Sequence, residues 1–267
     1  MYNDKQGKGL ITMETLQYSI LRYTPSLVSG ETINLAAIFY YPDEDYREFY
    51  SITKWKRVES FDSSLSIPLL KDLMLDIKDA VGTALSNSQF VLKDFCAQYQ
   101  SQLYFDRPIE FPNISWEMLS NQIEEIKKMY FQFEFEASQR PKHQDQKNFL
   151  SRLLQAKQIQ YKRDITETGK FNDTIIFDYV FGEYGVKFFD LNVKQIKGQT
   201  MNKAKTWAWN CKNPGSRSKI IILYDLEDES RADVNPILRI LEDSAYKLYN
   251  IHSGFSEMND ILTNESL

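Results

Sequence analysis

The sequence predicts an α+β protein in two parts: an antiparallel sheet with helices, then an α-β-β-β-α-β-α segment. Three observations predict it. Apolar and polar residues alternate at period two near the start and again past the middle. Apolar residues recur at three and four positions between those stretches. The run ASQRPKHQDQ, rich in amides and charge, separates the two parts. We place the parts at residues 1–138 and 139–267, with the linker at 136–146. A chain of 267 residues, 42% of them apolar, can bury such cores without disulfide or zinc support.

Residues 16–23 (LQYSILRY) alternate, residues 24–31 (TPSLVSGE) supply turn formers, and residues 32–41 (TINLAAIFYY) resume a β-compatible run. This predicts a hairpin, with a third strand at 48–55 after the PDED turn. Leu69, Leu70, Leu73, Met74, Ile77 and Val81 then recur at helical spacing between Pro68 and Gly82. A short element at 103–111 precedes Ser115, an N-cap for a helix to about Phe133. In the second part, 145–155 reads as helix and 158–165, 173–181 and 186–193 as strands. A helix at 201–211, a buried strand at 219–224 and a closing helix at 235–249 follow, with a polar, frayed tail from Ser253.

The net charge of −5 conceals a segregation. Residues 1–139 carry 13 basic and 20 acidic side chains, residues 140–225 carry 16 and 8, and residues 226–267 carry 3 and 9. The central excess of +8 suits attraction of phosphates, or equally a solvated lysine surface. Cys96 and Cys211 stand in no paired spacing, which excludes a Cys-type zinc site and fits a reducing cytoplasm. His143 and His252 are the only histidines, and His143, within RPKHQDQ, reads as a surface residue. GxxxxGK[ST] and GxGxxG are both absent, which argues against nucleotide-dependent phosphoryl transfer. The longest strictly apolar run, residues 35–41, is too short to span a membrane, and residues 1–11 lack a signal-peptide core.

Two resemblances follow. YSILRYTP at 18–25 and GETINLAAIFYYP at 30–42, with Glu31 and Asn34 in a Glu-x-x-Asn return, resemble the opening of the bacterial family DUF3037. A small Gly often follows that Asn, whereas Leu35, Ala36 and Ala37 stand here. The family's activity is not established. The resemblance implies kinship and a prokaryotic or phage setting, with a hint of mobile, defence or toxin-antitoxin gene neighbourhoods. The second part resembles a degenerate restriction-endonuclease-like, PD-(D/E)xK, core in element order and in acids on its second and third strands. That resemblance implies a carboxylate and an acidic-x-Lys triplet converging on Mg²⁺. Asp178 (DTIIFDYVF) and Asp190 (VKFFDLNVK) would be the ligands. On a continuing strand Asp190, Asn192 and Lys194 share a face, so Asn192 occupies the Lys position and Lys194 is the electrostatic partner one step further on.

Asp178 and Asp190 sit among aromatics, so a carboxylate there requires a cation or donors; a polar alternation on an exposed strand is the plainer reading. Arg163, Lys170, Lys197, Lys203 and Lys205 are the candidate nucleic-acid contacts, within a basic excess that also holds Lys187 and Lys194, and Trp207 and Trp209 interleave with it as stacking or core residues. Asp225, Glu227, Asp228 and Glu229 read as a solvated loop. The expectation is a cytoplasmic protein of a bacterial or phage conflict system (defence, counter-defence or toxin-antitoxin). It would interact with DNA or RNA through residues 140–225 and, if catalytic, act as a Mg²⁺-dependent nuclease. The competing expectation is a non-enzymatic inhibitor or regulator that binds a protein and retains a degenerate nuclease fold. Tyr40, Tyr41, Tyr46 and Tyr50 suit such an interface, and the alternation of acidic and basic segments also suits a homo-oligomer.

Overall fold

The computed structural model describes residues 14–25, 32–83, 90–193, 195–226, 231–251, 255, 258, 261 and 262. Its first sheet is antiparallel and built on β1 (Thr15–Tyr23), which pairs with β2 (Ile33–Tyr41) along its length. β3 (Tyr46–Ser51) lies outside β2, while β4 (Leu103–Phe105) and β5 (Ile109–Pro112) share the other edge of β1. The predicted hairpin is therefore present. The third strand, predicted at 48–55, begins two residues earlier and ends at Ser51, ahead of a short helix, α1 (Lys56–Phe61).

α2 (Ile67–Thr83) buries Leu70, Met74, Ile77 and Val81, the stripe its spacing predicts. After α3 (Leu92–Cys96), α4 (Trp116–Tyr130) buries Leu119, Ile123, Ile126 and Tyr130. α5 (His143–Ala156) begins within the predicted linker and lies between the two halves. Its Phe149 ring meets Phe111 of β5 and Tyr130 of α4 at centroid distances of 6.0 and 5.9 Å. From the same helix, Ser151 shares a 2.8 Å hydrogen bond with Tyr179 of the second sheet.

The second sheet has the order β10-β9-β8-β7-β6. β6 (Tyr161–Thr168), β7 (Thr174–Phe181) and β8 (Tyr184–Asp190) pair antiparallel in that order. α6 (Gly198–Lys212) then crosses over, and β9 (Lys219–Asp225) pairs parallel to β8. The predicted closing helix is in fact two elements, α7 (Asn235–Glu242) and β10 (Lys247–Asn250), the latter parallel to β9. Ile237, Leu241, Ala245 and Leu248 extend a helical spacing through the break, which hides it from a periodicity reading. The tail is not a polar fringe either, since Phe255, Met258 and Leu262 are buried, with Phe255 against Phe149 at 5.2 Å. One apolar cluster includes Tyr18, Ile38 and Phe149 together with Tyr179, Val186 and Leu223, so both sheets contribute to it. A second cluster, with Phe177, Ile222 and Leu241, lies on the other side of the second sheet. No helix among the described residues is long and apolar enough to cross a membrane.

Candidate functional site

The site arises where two paired strands part. β7 and β8 are joined through Gly182 and Glu183 and pair from Phe181↔Tyr184 to Tyr179↔Val186. Beyond that point β8 continues alongside β9 to Asp190, while its ladder with β7 stops. Phe188 would lose a strand partner for its N–H there, and the Asp178 carboxylate replaces the missing carbonyl, accepting that N–H at 2.9 Å. An unsatisfied buried N–H would cost about 1–3 kcal/mol, so the carboxylate is part of the sheet's own bonding.

The charge of Asp178 is answered by two lysines. Lys147 of α5 donates to Oδ1 in a short ion pair, and Lys187 of β8 lies 3.0 Å from Oδ2. Burial alone would raise the Asp178 pKa. Hydrogen bonds from Lys147 and Phe188 together with the Lys187 charge outweigh it, and hold the carboxyl below its ordinary value. Lys187 also stands over Trp207 of α6, its Nζ 5.3 Å from the ring centroid, and donates to the Ile176 carbonyl at 3.3 Å.

The parted strands and α6 enclose a cleft of about 560 Å³. Thr174, Ile176 and Asp178 line one wall at alternate positions of β7, and Lys203, Thr206, Trp207 and Asn210 line the other. His143 lies at one end, edge-on to Phe188 at 5.3 Å, and is half-buried rather than the surface residue its sequence context suggests. Burial, then the Lys147 charge, lower its pKa against the pull of Asp178, Asp190 and Asp225.

Asp190 and Asp225 are register partners at the ends of β8 and β9. β8 stops at Asp190, so Asn192 does not continue its alternation. Asn192 instead turns back, its N–H donating to Asp190 Oδ1 at 2.9 Å and its amide to Asp225, whose other oxygen accepts Gln146 at 2.9 Å. Lys194, Glu227, Asp228, Glu229 and Glu31 lie outside the described residues. Asn34 is on β2, donating to the Tyr130 carbonyl at 3.1 Å.

The strand lysine facing Asp178 is therefore Lys187, which the sequence offers only as part of the basic excess. A signal for it exists. A two-residue turn at Gly182 and Glu183 fixes the register, and counting back from it sets 187 opposite 178. The triplet ending in Lys187 is Gly185-Val186-Lys187, and an acid has no room at its head. A Cβ on Gly185 would lie 2.5 Å from a ring carbon of Phe177. Lys147 comes from a separate helix, and nothing in the sequence pairs it with Asp178.

Of the other predicted contacts, Lys203 lines the cleft, and Lys197 and Lys205 are exposed at the start and middle of α6. Arg163 lies over Tyr179 on β6, its Cζ 5.4 Å from the ring, and Lys170 occupies the β6–β7 turn. The two tryptophans divide: Trp207 is buried in the core and Trp209 is half exposed.

Mg²⁺ requires several oxygen donors in near-octahedral array. Both oxygens of Asp178 are engaged by lysines and a backbone N–H, Asp190 Oδ1 is engaged by Asn192, and position 185 is glycine. No group of three or more His, Cys, Asp or Glu among the described residues is placed to hold a metal. These side chains, so arranged, do not fit a Mg²⁺ centre.

Residues 18–103 match the model of a family described as a protein of unknown function, DUF3037. The match runs from within β1 to the first residue of β4 and covers none of the cleft. No curated protein and no solved structure matches the chain.

Proposed function

We propose that the chain binds nucleic acid through the cleft between β7, β8 and α6, and does so without hydrolysing it. The carrying observation is the cluster beside it, where Asp178 answers two lysines, Lys147 and Lys187, a surplus of one positive charge that Asp190, also on the lining, offsets. Lys203 adds a further exposed ammonium on the wall. Phosphates favour such a site because they release counterions on contact with lysines. The order α5, β6, β7, β8, α6, β9, antiparallel then parallel, supports a restriction-endonuclease-like reading of this half. Asp178 serves as anchor for the lysines rather than as a metal ligand, which makes this a binding or regulatory protein; the bacterial or phage conflict setting rests on the family resemblance of the first part alone.

The test is binding of labelled DNA and RNA oligonucleotides across a KCl series, with Lys203→Glu beside the parent. We expect affinity to fall steeply with salt, and the slope to shrink by about one or more in the variant. Affinity that is absent, or flat across salt, would refute the proposal and favour a protein-binding regulator. Cleavage of the same substrates in Mg²⁺ or Mn²⁺, abolished by Asp178→Asn, would overturn its non-hydrolytic part.

A further inference from the structure

Large apolar side chains left in water are informative when they form a built surface. Phe171, at the β6–β7 turn, is 60% exposed, and Trp209, on α6, is 51% exposed. Their rings lie 5.5 Å apart, tilted by 32°, although they come from different elements. The turn that carries Phe171 is tied in place. Asp173 accepts the Phe171 N–H at 3.3 Å, Gly169 donates to the Asp173 carbonyl at 2.7 Å, and Lys170 N–H reaches the Asn213 carbonyl at 3.5 Å. Gly215, at φ +63°, comes so close that a Cβ there would lie 2.3 Å from the Thr168 carbonyl oxygen. Asn213 in turn donates to the Trp209 carbonyl from its backbone at 3.0 Å and its side chain at 3.1 Å. The aromatic pair is thus held by backbone contacts on both sides.

Cations surround it. Lys170 lies 5.8 Å from the Phe171 ring, and Lys205 and Lys212 are one helical turn either side of Trp209. None of the three makes an ion pair among the described residues. Trp209 is also three residues beyond Thr206, a cleft residue, so the two are neighbours on the helix surface.

From this we infer that Phe171 and Trp209 form a stacking platform for an unpaired base, and that the nucleic acid bound here is single-stranded. The inference rests on the reading of the cleft as a nucleic-acid site and narrows it. An aromatic face accepts any base, whereas a duplex keeps its bases stacked on one another and offers such a face only at its ends. Lys170, Lys205 and Lys212 supply the phosphate contacts on either side of the platform, and the cleft lysines take the next phosphates along the strand.

The experiment titrates the full chain and its Trp209→Ala, Phe171→Ala and Trp209→Phe variants with labelled oligo-dT and with a blunt duplex of equal length, at one salt concentration. Both alanine variants should weaken oligo-dT binding about 10-fold or more, leave duplex binding unchanged and keep the parent's melting temperature. Trp209→Phe should restore oligo-dT affinity while abolishing most of the quenching of tryptophan fluorescence by the strand. Unchanged oligo-dT affinity in both alanine variants, or an equal loss for duplex and single strand, would overturn the platform while salt-dependent binding to the cleft stands. If the parent binds neither nucleic acid, the cleft reading itself fails, and the aromatic pair is then a protein contact.

Discussion

Replacing Asp178 by Asn isolates the charge that the cleft is built around. The amide keeps the shape, and its oxygen can still accept the Phe188 N–H, so the backbone bond at 2.9 Å survives. The two lysines, with side chains 15% and 22% exposed, are left facing a neutral group. Removing one partner of a buried ion pair costs about 3–5 kcal/mol when the other has no recourse to water. Both ammonium groups here keep partial access to solvent, which brings the expected loss to about 2–3 kcal/mol at pH 7. Asp178→Ala also strands the Phe188 N–H, adding about 1–3 kcal/mol.

The pH dependence has a definite sign. The Asp178 carboxyl titrates lower in the folded chain than in the unfolded one. Its contribution is therefore complete above the unfolded value of about 3.9, and is lost as pH falls through the folded value. Urea unfolding of parent and Asp178→Asn should differ by a constant amount at pH 6–7, and the difference should narrow as pH falls below about 4. Under the binding proposal, the same variant should hold oligonucleotides as tightly as the parent or more so, since both lysines are released to phosphate. A difference in stability below about 0.5 kcal/mol, or one that stays constant from pH 7 to pH 3, would refute the account of Asp178 as the lysines' counter-charge.

Two further predictions concern the core. Phe255, 1% exposed and seated on Phe149, should cost about 3–5 kcal/mol when changed to Ala, measured by urea or thermal unfolding; a loss under 1 kcal/mol would remove the tail from the core. Burial pushes the thiols of Cys96 and Cys211 up to about 12, so a thiol-specific chromogenic reagent at pH 8 should label neither in the folded chain and both in urea. Rapid labelling of the folded chain would contradict their environment.

Local pattern carried much of the fold. The Leu70–Met74–Ile77–Val81 stripe, the β1–β2 hairpin and the apolar run at 219–224 are set by residues close in sequence, and each forms an element where the pattern puts it. The division between α7 and β10 was not legible, because helical spacing persists by coincidence while pairing with β9 decides the strand. Asp178 could be singled out as a carboxylate among aromatics, yet its partners could not all be found. Lys187 follows from the turn register. Lys147 depends on how α5 packs between two sheets, a long-range outcome with no local trace. Asn192 and Lys194 align with Asp190 only on a strand that continues, whereas β8 ends at Asp190 and Asn192 folds back.

The position of α5 bears on how the chain can be dissected. The stretch that matches a family ends at residue 103, before β5 pairs with β1 and before α4 and α5 cover the sheet. Cutting there would strip Tyr18 of Phe111 and Tyr130, which lie 5.6 and 5.9 Å from its ring. Cutting just ahead of α5 would take Phe149 from the same core, and cutting behind it would take Lys147 from Asp178. Sequence kinship and mechanical self-sufficiency thus have different borders in this chain. A fragment drawn along the first would expose apolar surface that the intact protein covers with a helix from beyond the cut.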